Sequence, residues 1–106
     1  QAVGVQVFAP SAENSTIPRA YIERGRQIAE MTAKTVAEQT QQQANSVHSV
    51  PLKLMRDAAM PGFLIEAGCL STAEDEKRIA SEAYQIQVAE GIARGIAGMA
   101  GKEGTP

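Results

Sequence analysis

Residues 61–66, Pro61-Gly62-Phe63-Leu64-Ile65-Glu66, constrain the fold most strongly, because an apolar run ends abruptly on a carboxylate. Phe, Leu and Ile bounded by Pro and Gly read as a short buried strand. A carboxylate in such surroundings either has its pKa raised or finds a partner, and both outcomes suit acid/base chemistry. Side chains alternate along a strand, so Phe63, Ile65 and Ala67 share one face while Leu64 and Glu66 share the other. Glu66 is thereby expected near the carboxyl end of its strand, where ligands and catalytic groups gather in open α/β sheets. Gly68 is expected to let the backbone turn sharply just beyond it. A plainer reading also fits the composition: Glu66 reaches water at the strand end or caps a neighbouring helix.

Upstream, Val3-Gly4-Val5-Gln6-Val7-Phe8 places Val3, Val5 and Val7 on one face and predicts a strand that Pro10 ends. Ser11 to Ser15 is a polar loop. Ser15-Thr16-Ile17-Pro18 is a helix start, with a hydroxyl for the cap and Pro in the first turn. Tyr21, Ile22, Gly25, Ile28, Ala29, Thr32 and Val36 then recur at helical spacing and predict one amphipathic helix to about Ala44. Its polar end, Gln39-Thr40-Gln41-Gln42-Gln43, is expected to project or fray, with a Gln-rich interaction surface as the other reading. After a break at Asn45-Ser46, Val50 to Met55 reads as a second strand and Phe63 to Ala67 as a third. Arg56 to Met60 joins them either by a tight antiparallel turn or by an extended excursion. Ser71 with Glu74 has capping-box spacing and Thr72 with Asp75 nearly so, which predicts a short helix to about Ile79. Ser81 caps a last helix on which Tyr84, Val88, Ile92, Ile96 and Met99 form a stripe expected to face a sheet. Gly101 is expected to end it. The fold class is therefore α/β: strand, long helix, two strands, short helix, long C-terminal helix.

At 106 residues the chain allows one domain, with residues 1–101 in the body and 102–106 as a disordered tail. Only 4% of residues are aromatic and none is Trp, so aliphatic packing must carry the core. A formal net charge of -2 gives no electrostatic footprint for nucleic acid. No apolar stretch reaches the roughly 18 residues of a membrane span. The single cysteine, Cys69, has no internal partner and reads as a small hydrophobe, and Glu74, Asp75 and Glu76 read as a structural acidic first turn. The start at Gln1 rather than Met reads as a processed or cut chain, with room for a removed export signal.

Pro61-Gly62-Phe63-Leu64-Ile65-Glu66-Ala67-Gly68-Cys69-Leu70-Ser71-Thr72, followed by Glu74-Asp75-Glu76, resembles the C-terminal signature of the zinc-dependent N-acetylmuramoyl-L-alanine amidases. That pattern runs Pro, small, apolar, Leu, Val or Ile, Glu, apolar, Gly, aromatic, Leu or Ile, Ser, Asn, then acidic residues. Val50 to Arg56 is similar to the family's preceding strand, and Ala83-Tyr84-Gln85 through Gly91-Ile92-Ala93-Arg94-Gly95-Ile96 to its terminal helix. Gly4-Val5-Gln6-Val7-Phe8 resembles the strand after the family's last zinc ligand. Cys69 stands in place of the usual aromatic and Thr72 in place of Asn.

The resemblance implies the C-terminal portion, residues 1–101, of a phosphorylase/hydrolase-like catalytic domain. It implies a peptidoglycan hydrolase that cleaves the amide between N-acetylmuramic acid and the L-Ala of the stem peptide. Glu66 matches the catalytic carboxylate, taking a proton from the attacking water and handing it to the leaving amine, a return step that an apolar setting would assist. The family's zinc is held by His, Glu and His, all from before the first strand found here, and a catalytic zinc needs three protein ligands and an open position. His48, in the loop after the long helix, matches none of them and reads as a surface residue; Glu13, Glu23 and Glu30 lie in the wrong segments. The chain alone is therefore expected to hold no metal and to be inactive. The alternatives are a non-catalytic remnant that binds peptidoglycan or a protein partner, and a structural module that self-associates through an open sheet edge. A cell-envelope location follows from the implied substrate. Arg56 and the Met60-Pro61 turn either line a substrate groove or are solvated.

Overall fold

The computed structural model describes residues 4–13, 15–43, 46–68 and 70–103. Three strands and three helices follow in the order β1 (Gln6–Pro10), α1 (Arg19–Thr40), β2 (Val47–Val50), β3 (Leu64–Glu66), α2 (Ala73–Ala80) and α3 (Glu82–Glu103), with a 3-10 turn at Lys53–Met55. The α/β class is as predicted. Val3, Cys69, Asn45 and the tail residues 104–106, on which some sequence expectations rest, lie outside the described residues.

The sheet has the order β2-β1-β3, with β1 parallel to β2 and antiparallel to β3. The second and third strands are therefore not neighbours, and the excursion replaces the tight antiparallel turn. The second strand is Val47–Val50 rather than Val50 to Met55. Pro51 has no N–H to offer a ladder, and the chain folds from there into the 3-10 turn, leaving Leu54 84% exposed. His48 consequently lies on β2, not in a loop.

Val5, just before β1, and Val7 and Ala9 on it are buried and meet Ala29, Ala33 and Val36 of α1, with Val47, Phe63, Ile65 and Ile92 packed around them. Phe63 and Ile65 thus take the core face assigned to them. Pro10 is the last residue of β1, and Ser11 N–H continues the pairing by donating to the Val50 carbonyl at 2.8 Å.

The start of α1 differs from expectation. Pro18 is the capping residue and has no side chain to offer. The Ser15 hydroxyl instead accepts from Ile17 N–H, and Thr16 Oγ1 donates to Asp57 Oδ1 at 2.9 Å. At the other end the helix stops at Thr40, four residues early, because Gln41 turns into the left-handed region with φ 57°. The polar end neither frays nor projects. Gln39 Nε2 donates to Glu90 Oε2 at 2.9 Å and Gln42 Nε2 to the Tyr84 hydroxyl at 3.1 Å, fastening it to α3.

The apolar stripe of α3 is also corrected. Tyr84, Val88 and Met99 are buried, but Ile96 is 46% exposed, and the contact line passes through Gly91 and Gly95. These two glycines let α3 lie directly on α1 rather than on the sheet. A Cβ on Gly91 would stand 2.6 Å from Val36 Cα, and one on Gly95 the same distance from Thr32 Cα. The Thr35 hydroxyl, at 2.5 Å from the Gly91 carbonyl, donates to it across the interface. Gly101 does not end the helix, which continues through Lys102 and Glu103, the first two residues of the expected tail.

This contact predicts opposite outcomes for two glycines on one helix. Gly95→Ala overpacks the interface and should cost roughly 1–3 kcal/mol. Gly98→Ala meets nothing within 4 Å and should gain roughly 0.5–1 kcal/mol through helix propensity. Urea unfolding midpoints of the two variants check both signs.

Candidate active site

Glu66 is the last residue of β3 and is paired with Gln6 of β1. Its neighbours on the sheet face away from α1 follow from the register. Leu64 pairs with Phe8, Phe8 with His48, and Gln6 with Glu66, so Gln6, Phe8, His48, Leu64 and Glu66 lie on one face. The ring centroids of Phe8 and His48 are 5.1 Å apart, and His48 Nε2 lies 2.9 Å from Gln6 Oε1. A hydrogen bond there requires the tautomer with the proton on Nε2, since the amide oxygen only accepts.

Glu66 itself is exposed. The apolar confinement expected from the run before it is absent, because Phe63 and Ile65 point to the helix side and leave the carboxylate on the open face. Arg56, three-dimensionally, is not beside it either: the 3-10 turn carrying Arg56 sits against Gly62 at the start of β3. Met60 is 68% exposed.

The end of β3 is held rigidly by residues further along the chain. Tyr84 is buried, and its hydroxyl donates to the Ala67 carbonyl at 2.6 Å while accepting from Gln42. Arg78 lies over the Tyr84 ring at 5.9 Å. Gly68 does not adopt a left-handed conformation. It is small because α2 packs on it, with Ile79 Cδ1 2.8 Å from where its Cβ would be.

The acidic first turn of α2 contains a residue of a different kind. Asp75 has no exposed surface, whereas Glu74 and Glu76 face solvent. Asp75 Oδ2 accepts from Gly4 N–H at 3.1 Å, and its Oδ1 accepts from Arg78 Nη1 at 2.5 Å. Thr72, not Ser71, caps the helix, accepting from Asp75 N–H at 3.2 Å. One carboxylate thus joins the backbone just before β1 to the helix just after β3. Gly4 makes the contact with φ 81°, a conformation glycine adopts without strain, in space too tight for a Cβ beside Gln42. In the sequence Asp75 is one of three equivalent acids; its own burial and its bond to Gly4 distinguish it.

Among the described residues no group of three His, Cys, Asp or Glu is placed to hold a metal. Glu66 and His48 share a face, but a third donor does not join them. The zinc implied by the sequence resemblance is thus not matched by the donors among the described residues.

The sequence matches the family model of N-acetylmuramoyl-L-alanine amidases over residues 1–98. The chain belongs to the N-acetylmuramoyl-L-alanine amidase family. No curated protein matches the sequence. Among solved structures, an N-acetylmuramoyl-L-alanine amidase from Clostridium difficile 630 is similar with a TM-score of 0.83 and 25% identity, over 98% of this chain and 52% of that one. The amidase AmiC2 of Nostoc punctiforme is similar at 0.65 and 26% identity, over 91% of this chain and 47% of its own. Ami1 from Mycobacterium smegmatis matches at 0.75 and 22% identity, over 93% of this chain and 47% of its own, a likeness of fold. The chain spans about half the length of each of these relatives.

The network behind the β3 end of this amidase-family chain should be costly to break. Asp75→Ala leaves the buried Gly4 N–H without its acceptor and Arg78 paired with Glu74 alone, and should lose roughly 1–3 kcal/mol. Tyr84→Phe, which removes two hydrogen bonds and keeps the ring, should lose about 1–2 kcal/mol. Thermal or urea unfolding measures both, with the exposed Glu76→Ala as the control expected to change little.

Proposed function

We propose that this chain supplies the acid/base half of a peptidoglycan amidase, with Glu66 as the proton carrier. The observation that supports it most is the family match running through the segment whose glutamate ends β3, exposed on the open face. The bond cleaved is the amide between the lactyl group of N-acetylmuramic acid and the L-Ala of the stem peptide.

Glu66 carries one proton twice. Its carboxylate accepts a proton from water as the water oxygen bonds to the amide carbon. The resulting carboxylic acid then donates that proton to the amide nitrogen as the C–N bond breaks, leaving a lactyl carboxylate and a free amine. Such a positioned acid/base contributes typically about 10²–10⁴-fold. An exposed carboxylate exchanges protons readily with solvent, and the open face gives a bulky glycan access to it. The Tyr84 bond to Ala67 and the Asp75 bridge fix the strand that carries it.

In this reading the metal ligands come from residues other than those described here, which agrees with the chain's spanning about half of its structural relatives. Substrate and family together point to the cell envelope as the place of action. No helix among the described residues is long and apolar enough to cross a membrane. A second reading, a non-catalytic remnant that binds peptidoglycan or a protein, is favoured only by the lack of a three-donor group among the described residues. The three-stranded sheet has β2 and β3 at its edges, and self-association through one of them would belong to that second reading.

Two preparations separate these readings. The 106-residue chain, purified alone, should carry far less than one zinc equivalent by elemental analysis and release no stem peptide. Joined to its natural upstream sequence it should carry about one equivalent and cleave, and Glu66→Gln should then lose at least about 100-fold in rate with zinc unchanged. A joined chain that holds no zinc yet sediments with peptidoglycan would favour the remnant, and zinc on the short chain would overturn the division of roles.

A further inference from the structure

At the end of the sheet opposite Glu66 lies a cavity of about 200 Å³ that the proposed amidase chemistry does not use. Glu66 is level with Gln6, the first residue of β1, whereas the cavity begins at Pro10 and Ser11. Four residues of strand separate the two levels by about 13 Å. Here the parallel strands β1 and β2 both end, and α1 begins: a β-α-β arrangement whose carboxyl strand ends favour ligands.

The wall is built of two segments tied together. The Arg56 carbonyl accepts from Thr16 N–H at 3.3 Å and from the Ser15 hydroxyl at 3.1 Å, so the loop before α1 and the turn after β2 close the cavity without a ligand's help. Ile17 is buried and, with Leu52, supplies an apolar lining. Lys53 and Arg56 stand at the rim, and neither makes an ion pair among the described residues. The Ser11 Oγ is buried with no hydrogen-bond partner among them. The α1 terminus beside the cavity has no side-chain cap and no acidic residue in its first turn, so its positive end is uncompensated.

Charge and an apolar wall converge on one ligand chemistry. We propose that this cavity binds a small monocarboxylate with an apolar body, of the size of an acylated amino acid. Its carboxylate pairs with Arg56 and Lys53, while its body lies against Ile17 and Leu52. Among the described residues Glu13 is the one acid lining the cavity. It leaves a net charge suited to one negative charge and disfavours a more highly charged anion. Asp57, next to Arg56, is engaged by the Thr16 hydroxyl. The site is separate from the acid/base glutamate and does not depend on that reading.

The test uses the 106-residue chain, labelled with ¹⁵N and titrated with N-acetylalanine, its neutral amide and inorganic phosphate. N-acetylalanine should bind with a dissociation constant on the order of 1 mM and shift the amides of Ser11, Ile17, Leu52 and Lys53 while leaving Glu66 in place. The amide should bind at least about tenfold more weakly, as should the acid to Arg56→Gln, whereas Arg56→Lys should retain part of the affinity. Glu13→Gln should raise phosphate binding. Arg56 and Lys53 are exposed, so these variants keep the fold. Equal binding of acid and amide, no change in Arg56→Gln, shifts centred on Glu66, or no saturation by any probe would each overturn the proposal.

Discussion

The approach of α3 to α1 through Gly91 and Gly95 is the constraint on which the rest of the chain depends. With a three-stranded sheet and few aromatic residues, little apolar volume is available to bury. Dispersion depends on distance, so small residues that bring backbones together recover contact that large side chains would otherwise supply. Val36 and Thr32 on α1 meet bare backbone on α3, while on the other side of the same helix Ala29 and Ala33 let it settle onto Val5, Val7 and Ala9. Helix α1 is thus packed closely on two sides, and every other element is placed relative to it. The Thr32 hydroxyl has no partner among the described residues in this contact, a cost the close packing offsets.

From that frame the position of Glu66 follows in short steps. The Tyr84 side chain, carried on α3, reaches back to the carbonyl next to Glu66 and to Gln42 beyond the end of α1. Asp75, carried on α2, reaches Gly4 before β1. Both strands of the β1–β3 pairing are therefore pinned at the end that carries Glu66 by side chains rather than by the ladder of a three-residue strand alone. A buried carboxylate is expensive unless its lone pairs are satisfied; here a guanidinium and a backbone N–H meet opposite oxygens, and the geometry of the satisfied group fixes where α2 docks. The site is precise because a costly group can be satisfied in only one arrangement.

The parts of this arrangement visible in the sequence are those encoded by local pattern. Phe63 to Glu66 reads as a strand because apolar residues, a proline and a glycine all agree within six positions, and Ser81 starts the last helix as its hydroxyl suggests, accepting from Tyr84 N–H at 3.3 Å. Errors arise where pattern and tertiary context compete. Val50 to Met55 alternates like a strand, but Pro51 cannot donate, and β1 needs its parallel partner earlier, at Val47–Val50. Ile96 fits the apolar stripe and is nonetheless half exposed, because hydrophobicity scores large residues and is blind to a glycine that earns its place by having no side chain. Asp75 is indistinguishable from Glu74 and Glu76 by composition, since its role depends on Gly4, 71 positions away. That Glu66 ends a strand and reaches water is one of the readings its residues allow, and the structure has it exposed; which of those readings holds depends on where the helices dock.

The mixed sheet separates the two proposed sites and one helix joins them. Because β3 runs against β1, its carboxyl end lies at the opposite edge of the fold from those of β1 and β2, so Glu66 and the Lys53–Arg56 cavity cannot share a ligand of small size. Helix α1 begins beside the cavity and ends beside Gln42 and Tyr84, a span of about 33 Å for its 22 residues. A helix held against Gly91 and Gly95 can tilt or slide only by breaking its closest contacts, since those glycines leave no compressible side chain between the backbones. The two ends are therefore mechanically joined but chemically independent, and a ligand at one would reach the other only through a displacement of α1 as a whole.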